Sequence, residues 1–316
     1  MRVAYACDDN YIVHTGISLL SLLDHNKEVE DLKIYLISVN ISKENINKIQ
    51  TIVDEFVREL IVIPFKELSP NLKLSNLGRH IETVYAKLFF GNIIGEDKII
   101  YLDSDIIIND SLQEMWSLDL GNNYFGLVKT ITKDYCVALG LSREQPFYND
   151  GVAIVNAKLL REDNMANVFI DFINSYNGNP PVLSEGTINV VCKERIETIH
   201  PKFNFGSAFL MFNNKELSLF ADENEYYPAN IINEARENPV VIHYLSGWFK
   251  RPWENGCSHP LRDKYNYYKG RSIWKDYPLT NKELPRNVKL LKTLMKIFPA
   301  NFVKLLMEQK RKLLIK

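Results

Sequence analysis

Residues 3–63 alternate apolar runs of two different periods, and that alternation restricts the chain to few architectures. Residues 3–6, 32–39 and 60–63 are short apolar runs of strand length. Between them Val13, Ile17 and Leu20, then Ile46, Ile49, Val53 and Phe56, recur at helical spacing, the second set after Ser42 as an N-cap. The order βαβαβ favours a parallel sheet with helices on its faces. A helix through Ile81, Tyr85 and Leu88 extends the pattern, with strands at 99–102, 125–128, 152–155 and 240–243 and a helix at 157–176. The expected fold class is α/β: a mixed, mainly parallel sheet flanked by helices, with a small helical C-terminal region. No internal repeat and no Gly-Ser linker divides the body.

Within this frame one segment carries chemistry. Lys98 to Ile108 reads K-I-I-Y-L-D-S-D-I-I-I, an apolar strand that delivers Asp103 and Asp105 to one place. An Asp-x-Asp tripeptide is expected about once by chance in a chain of this composition, so its context carries the weight. Strand ends are where open α/β sheets bind ligands. Two hard oxygen ligands there suit a divalent cation, and a cation suits a diphosphate. No G-x-G-x-x-G follows the first strand and no G-x-x-x-x-G-K-[ST] occurs, so phosphate binding is expected to go through a metal.

Three further segments can join the same rim. Asp8-Asp9-Asn10-Tyr11 follows the first strand and offers polar edges and a ring for a base, or else a turn that caps the next helix. Tyr148-Asn149-Asp150-Gly151 precedes the strand at 152–155 and reads most simply as a turn. His243 ends a strand, with Gly247 and Lys250 just after it; alone, such a histidine is more often a packed core residue. Together with the aspartates it supplies a third ligand suited to Mn²⁺, and Gly247 and Lys250 can meet phosphate oxygens.

The 316 residues, 46% hydrophobic and 24% charged, are enough to bury one large domain. The expected division is a catalytic domain at 1–260 and a helical region at 261–316. No run reaches the roughly 18 to 20 apolar residues of a membrane span, and acidic residues come too early for a secretory signal, so a cytoplasmic protein is expected. Cys7, Cys136, Cys192 and Cys257 are far apart without a C-x-x-C pair, which argues for reduced, structural thiols. Residues 286–316 hold nine basic groups and one acidic, a net of +8, against −9 for residues 1–285. Leu290, Leu291, Leu294, Ile297, Phe302, Leu305 and Leu306 interleave with these lysines around Pro299, as in an interfacial segment on anionic lipid. The alternative is that this stripe packs on the acidic body. Nucleic acid is a poor partner, because the body is acidic and the basic groups lie on an apolar stripe.

In their order, A-x-D-D-N-Y, R-H-I before Tyr85, Y-L-D-S-D, Y-N-D-G and H-Y…G…K…P-W resemble glycosyltransferase family 8 over about residues 1–255. The basic tail is most similar to that of its bacterial lipopolysaccharide α-galactosyl- and glucosyltransferases. The resemblance implies a GT-A-like, Rossmann-like nucleotide-binding fold, a UDP-galactose or UDP-glucose donor, Mn²⁺ with Mg²⁺ as the alternative, and transfer with retention to a saccharide or glycolipid acceptor. Carried over by position, Asp103, Asp105 and His243 hold the metal. Asp8, Asn10 and Tyr11 hold the uridine, with Tyr11 on uracil; His80, Lys87, Ser104, Asp150, Gly247 and Lys250 line the donor, and Asn149 and Glu185 stand at the reacting centre. The enzyme would then sit peripherally on the inner face of the cell membrane.

Four departures mark this chain. Ser184-Glu185-Gly186-Thr187-Ile188-Asn189 stands where the family commonly has D-Q-D-x-L-N, so two aspartates are lost and Glu185 replaces an amide. Lys87 stands for an arginine, Asp150 for a small residue, and the segment from His243 to Trp253 is about two residues longer than usual. Glu185 is expected either to act as a nucleophile or to serve only as an acid favoured near a helix N-terminus. A catalytically silent UDP-sugar-binding or scaffold protein is the alternative outside enzymes. A sugar-nucleotide pyrophosphorylase fits less well, since its G-G-x-G-[ST]-[KR] start is absent.

Overall fold

The computed structural model describes residues 1–69, 71–72, 80–93 and 95–306. Among the described residues, ten strands form two sheets: β1 (Arg2–Cys7), β2 (Lys33–Ser38), β3 (Glu59–Pro64), β4 (Lys98–Leu102), β5 (Ile106–Ile108), β6 (Phe125–Lys129), β7 (Tyr148–Asn156), β8 (Ile196–Thr198), β9 (Phe205–Gly206) and β10 (Val241–His243). The large sheet runs β3-β2-β1-β4-β7-β6-β8. Its first four strands are parallel and β7 is antiparallel to both neighbours, so the expected mixed, mainly parallel sheet is present. The central strands are apolar on both faces because helices cover both, which buries β1 from Val3 and β4 from Ile99 almost completely.

Register explains why the site forms at one edge. Tyr5 pairs with Leu102 in parallel, so Asp8 and the Asp103–Asp105 pair leave the sheet side by side at neighbouring carboxyl ends. Antiparallel pairing of Leu102 with Val152 brings Gly151 opposite Asp103, whose N–H donates to the Gly151 carbonyl at 2.7 Å. The small sheet β5-β10-β9 crosses this edge, and its pairing of His243 with Ile106 sets the histidine beside Asp105.

Several local expectations change. Tyr148–Gly151 is the start of β7 and not a free turn. The helix expected at 157–176 is two, Ala157–Glu162 and Met165–Ser175, because Asn164 adopts the left-handed conformation at φ 52° between them. The segment through Ile81 and Leu88 is an α-helix, His80–Tyr85, that tightens into a 3₁₀ helix, Ala86–Asn92. Helix Arg262–Arg271 packs on helix Ile12–His25, with Arg271 donating to Asp24 at 2.7 Å and His14 Nδ1 2.8 Å from the Tyr265 hydroxyl.

Candidate active site

Asp103, Asp105 and His243 converge: one ligand atom from each lies within 4.8 Å of the others. Donors about 2.0–2.3 Å from a shared cation are separated by such distances, so the cluster can hold a divalent metal. Its surroundings prepare it for that. His243 is buried, and its Nδ1 lies 2.8 Å from Asn204 Oδ1, which fixes the ring and leaves Nε2, 3.0 Å from Asp105 Oδ1, toward the cluster. Asn204 is itself oriented, because its Nδ2 donates to Asn149 Oδ1 at 2.8 Å. The Tyr101 hydroxyl donates to Asp103 Oδ1 at 2.7 Å. A Cβ at Gly151 would lie 2.4 Å from His243 Cε1 and 2.5 Å from Asp103 Oδ2, so a residue with any side chain would displace two of the three ligands.

Electrostatics divide the two aspartates. Burial pushes the Asp103 carboxyl above its ordinary range, and the neighbouring Asp105 charge adds to this. Asp105 suffers the same burial, yet His243 and Arg251 hold it well below the usual carboxylate range. Arg251 Nη2 donates to Asp105 Oδ2 at 2.6 Å and Nη1 to the Tyr11 hydroxyl at 3.1 Å. The guanidinium thus stands against an oxygen that a metal would take.

Beside the cluster lies a cavity of about 270 Å³. Asp8, Tyr11, Tyr101, Asp103, Asp105 and Arg251 are among the residues that line it. Asp8 is buried and accepts from the Asn10 N–H at 3.0 Å, the Asn10 amide at 2.9 Å and the Tyr11 N–H at 3.2 Å. That turn starts helix Ile12–His25 and presents the exposed Tyr11 ring. Ser104, also on the cavity wall, shares a 2.8 Å hydrogen bond with Thr15 of the same helix. His14, one turn along, stacks on Trp253 with ring centroids 4.0 Å apart and braces the segment that carries Arg251. Burial lowers its pKa to about 4, so this ring is neutral.

On the far side of Asp103, Lys87 is buried beneath the Tyr101 ring, 4.3 Å from its centre. Its Nζ meets Asp150 Oδ2 at 3.1 Å and Asp103 Oδ1 at 3.8 Å. Asn149 Nδ2 donates to Glu185 Oε2 at 2.8 Å. Glu185 stands in the first turn of helix Leu183–Val191; burial and the Asp150 charge push its carboxyl up to about 8.

The remaining expected residues lie as follows. Gly247 takes φ 136°, a conformation that side chains rarely adopt, after His243. Lys250 turns away from the cavity, its Nζ 2.9 Å from both the Asn255 carbonyl and Glu283 Oε1. His80 begins helix His80–Tyr85, and its side chain lies outside the described residues. Sequence reasoning missed Arg251, although a second cation beside Lys250 was legible, and missed Asn204, for which no sequence pattern gives a signal.

Comparison with known proteins agrees with this geometry. The model of Glycosyl transferase family 8 matches residues 2–257. General stress protein A of Bacillus subtilis strain 168 is 24% identical over 282 residues, 87% of this chain and 94% of that protein. A lipopolysaccharide 1,2-glucosyltransferase of Escherichia coli is 23% identical over 288 residues, 88% of this chain and 80% of that protein. A crystal structure of the galactosyltransferase LgtC, in complex with donor and acceptor sugar analogs, superposes with a TM-score of 0.69 at 19% identity, covering 92% of this chain and 99% of that one. The architecture is GT-A-like, and the chain belongs to glycosyltransferase family 8, a family of enzymes.

Proposed function

We propose that the protein is a metal-dependent, retaining glycosyltransferase that moves galactose or glucose from a UDP-sugar to a cell-surface glycan or lipid-linked saccharide. The observation that carries this reading is the convergence of Asp103, Asp105 and His243 beside a cavity with an exposed tyrosine ring and an arginine. A galactosyltransferase and a glucosyltransferase among the similar proteins support the two hexoses. A carboxylate pair with an imidazole suits Mn²⁺, with Mg²⁺ as the alternative. Such an ion, when bound, offsets the charge that grows on a departing diphosphate.

The chain's own residues divide the remaining work. Tyr11 stacks on the base, with Asp8 and Asn10 at the nucleoside edge and Ser104 and His80 along the donor. With a cation on Asp105, Arg251 would be free to turn its fork to the diphosphate beside the Gly247 backbone, the role that spacing alone gives to Lys250. Asn149 and Glu185 face the reactive side of the sugar. A carboxyl that keeps its proton near neutral pH is a poor nucleophile, which favours same-face attack with Glu185 as a hydrogen-bonding group.

The tail supports attachment to an anionic membrane at the inner face of the cell. Helix Arg286–Ile297 and the helical residues 300–306 after it leave Leu290, Ile297, Phe298, Phe302 and Leu305 exposed among lysines. The same tail is also tied to the body: Lys292 donates to the Trp248 carbonyl at 2.7 Å, Lys304 pairs with Asp222, and Val303 is buried.

Calorimetric titration with UDP tests the donor site. UDP binds with Mn²⁺ and not with EDTA. Arg251→Ala weakens that binding about 10- to 100-fold, as expected for lost charge-assisted hydrogen bonds, and Lys250→Ala leaves it nearly unchanged. Metal-independent binding, or a larger loss from Lys250→Ala, contradicts the assignment.

A further inference from the structure

Asp150 sits where β7 leaves regular pairing. Leu127 of β6 pairs with Ala153 but Val128 pairs with Asn149, so residues 150–152 have no partner in β6. Irregularities of this kind re-aim side chains, and here the carboxylate turns inward, leaving the residue 7% exposed. Asp150 Oδ2 takes both Lys87 Nζ, at 3.1 Å, and the Ser184 hydroxyl. Lys87 also donates to the Asp150 carbonyl at 3.0 Å and lies 3.8 Å from Asp103 Oδ1. One ammonium group therefore separates Asp150 from the metal cluster. Among the described residues, no donor reaches Asp150 Oδ1. A buried carboxylate with one oxygen fully engaged and the other unclaimed has acceptor capacity for a group that arrives with a ligand.

Resting on the reading of this centre as a UDP-hexose site, we infer that Asp150 selects the donor sugar: its Oδ1 accepts a hydrogen bond from one hydroxyl of a neutral hexose while Lys87 and Ser184 hold Oδ2. A hexose attached to a diphosphate at Asp103 and Asp105 must lie within a residue's length of Asp103, which is where this carboxylate stands. The arrangement also excludes acidic sugars. Lys87 is engaged by Asp150, and in the donor complex Arg251 is taken by the diphosphate, so among the described residues a uronate would meet Asp150 with neither of these two cations free to offset it. Ser184, fully buried, acts as a positioning residue, since its hydroxyl reaches only Asp150 among the described residues.

The test is UDP release by wild type, Asp150→Ala and Asp150→Asn from the UDP-hexose and its singly deoxygenated analogues, beside Mn²⁺-dependent binding of UDP itself. For one ring hydroxyl, deletion lowers wild-type kcat/KM about 10- to 100-fold and costs Asp150→Ala nothing further. UDP binding stays within about twofold in all three proteins, and wild type does not use UDP-glucuronate. Asp150→Asn keeps an acceptor against Lys87 and Ser184 and carries the comparison if the alanine variant does not fold. Losses that add independently for every hydroxyl, equal use of UDP-glucuronate, or UDP binding with no release from either neutral hexose overturn the proposal. Failure of wild type to bind UDP at all would instead strike the underlying reading of the site.

Discussion

Glu185 is the side chain whose chemistry the fold changes most. Its ordinary value of 4.5 rises to about 8 because burial and the Asp150 charge both oppose ionisation. The folded protein therefore holds this proton over a range in which the unfolded chain has released it. Stability from this group is full below about pH 4.5 and is lost as pH rises toward 8. Glu185→Gln has no such proton. In thermal denaturation of the metal-free protein, wild type should lose stability relative to the variant between about pH 5 and 8, with a constant gap above that. Parallel curves across the range would show that Glu185 titrates normally. Residue by residue, much of the centre was readable: an apolar strand announced Asp103 and Asp105, and a strand end announced His243. Arg251 was not, because two adjacent cations, Lys250 and Arg251, point to opposite sides and only the tertiary path of the loop decides which enters the cavity. Asn204 was hidden for a different reason, since it works through His243 and Asn149, which the chain brings to it from far along the sequence.

At the scale of elements, the long alternating segments were legible because apolar periodicity accumulates over their length. β5, β8 and β9 were not, since two or three residues carry no period. Yet β5 and β10 complete the site by setting His243 against Asp105. Helix Ile12–His25 is held on its outer side by the C-terminal region. A Cβ at Gly16 would lie 2.0 Å from Trp274, so this glycine is the seat for that ring. Gly16→Ala should lower the stability of the folded protein by about 1–3 kcal/mol, the usual cost of overpacking, when measured by denaturant unfolding. An unchanged midpoint would mean that Trp274 moves aside without cost and that the contact contributes little.

For the whole molecule, the asymmetry of charge is the organising feature. An acidic body of net −9 carries a tail of net +8 that is tied back at Lys292 and Lys304 and still exposes an apolar stripe. Among the described residues no helix is long and apolar enough to cross a membrane, and the association proposed for the tail is interfacial. A chain ending at residue 285 should lose sedimentation with anionic vesicles, and the full chain should lose it as salt rises toward 1 M. Equal sedimentation of both chains would assign the tail to packing on the body alone. The central claim is that the carboxylates and histidine at the sheet edge hold a metal for UDP-sugar chemistry. Its most direct test is UDP release from UDP-galactose and UDP-glucose, with Mn²⁺ and with EDTA, by wild type and Asp105→Ala. The account predicts metal-dependent release from one of these donors, abolished by EDTA and by Asp105→Ala in a variant that still folds. Release that persists in EDTA, or an Asp105→Ala protein as active as wild type, would contradict it.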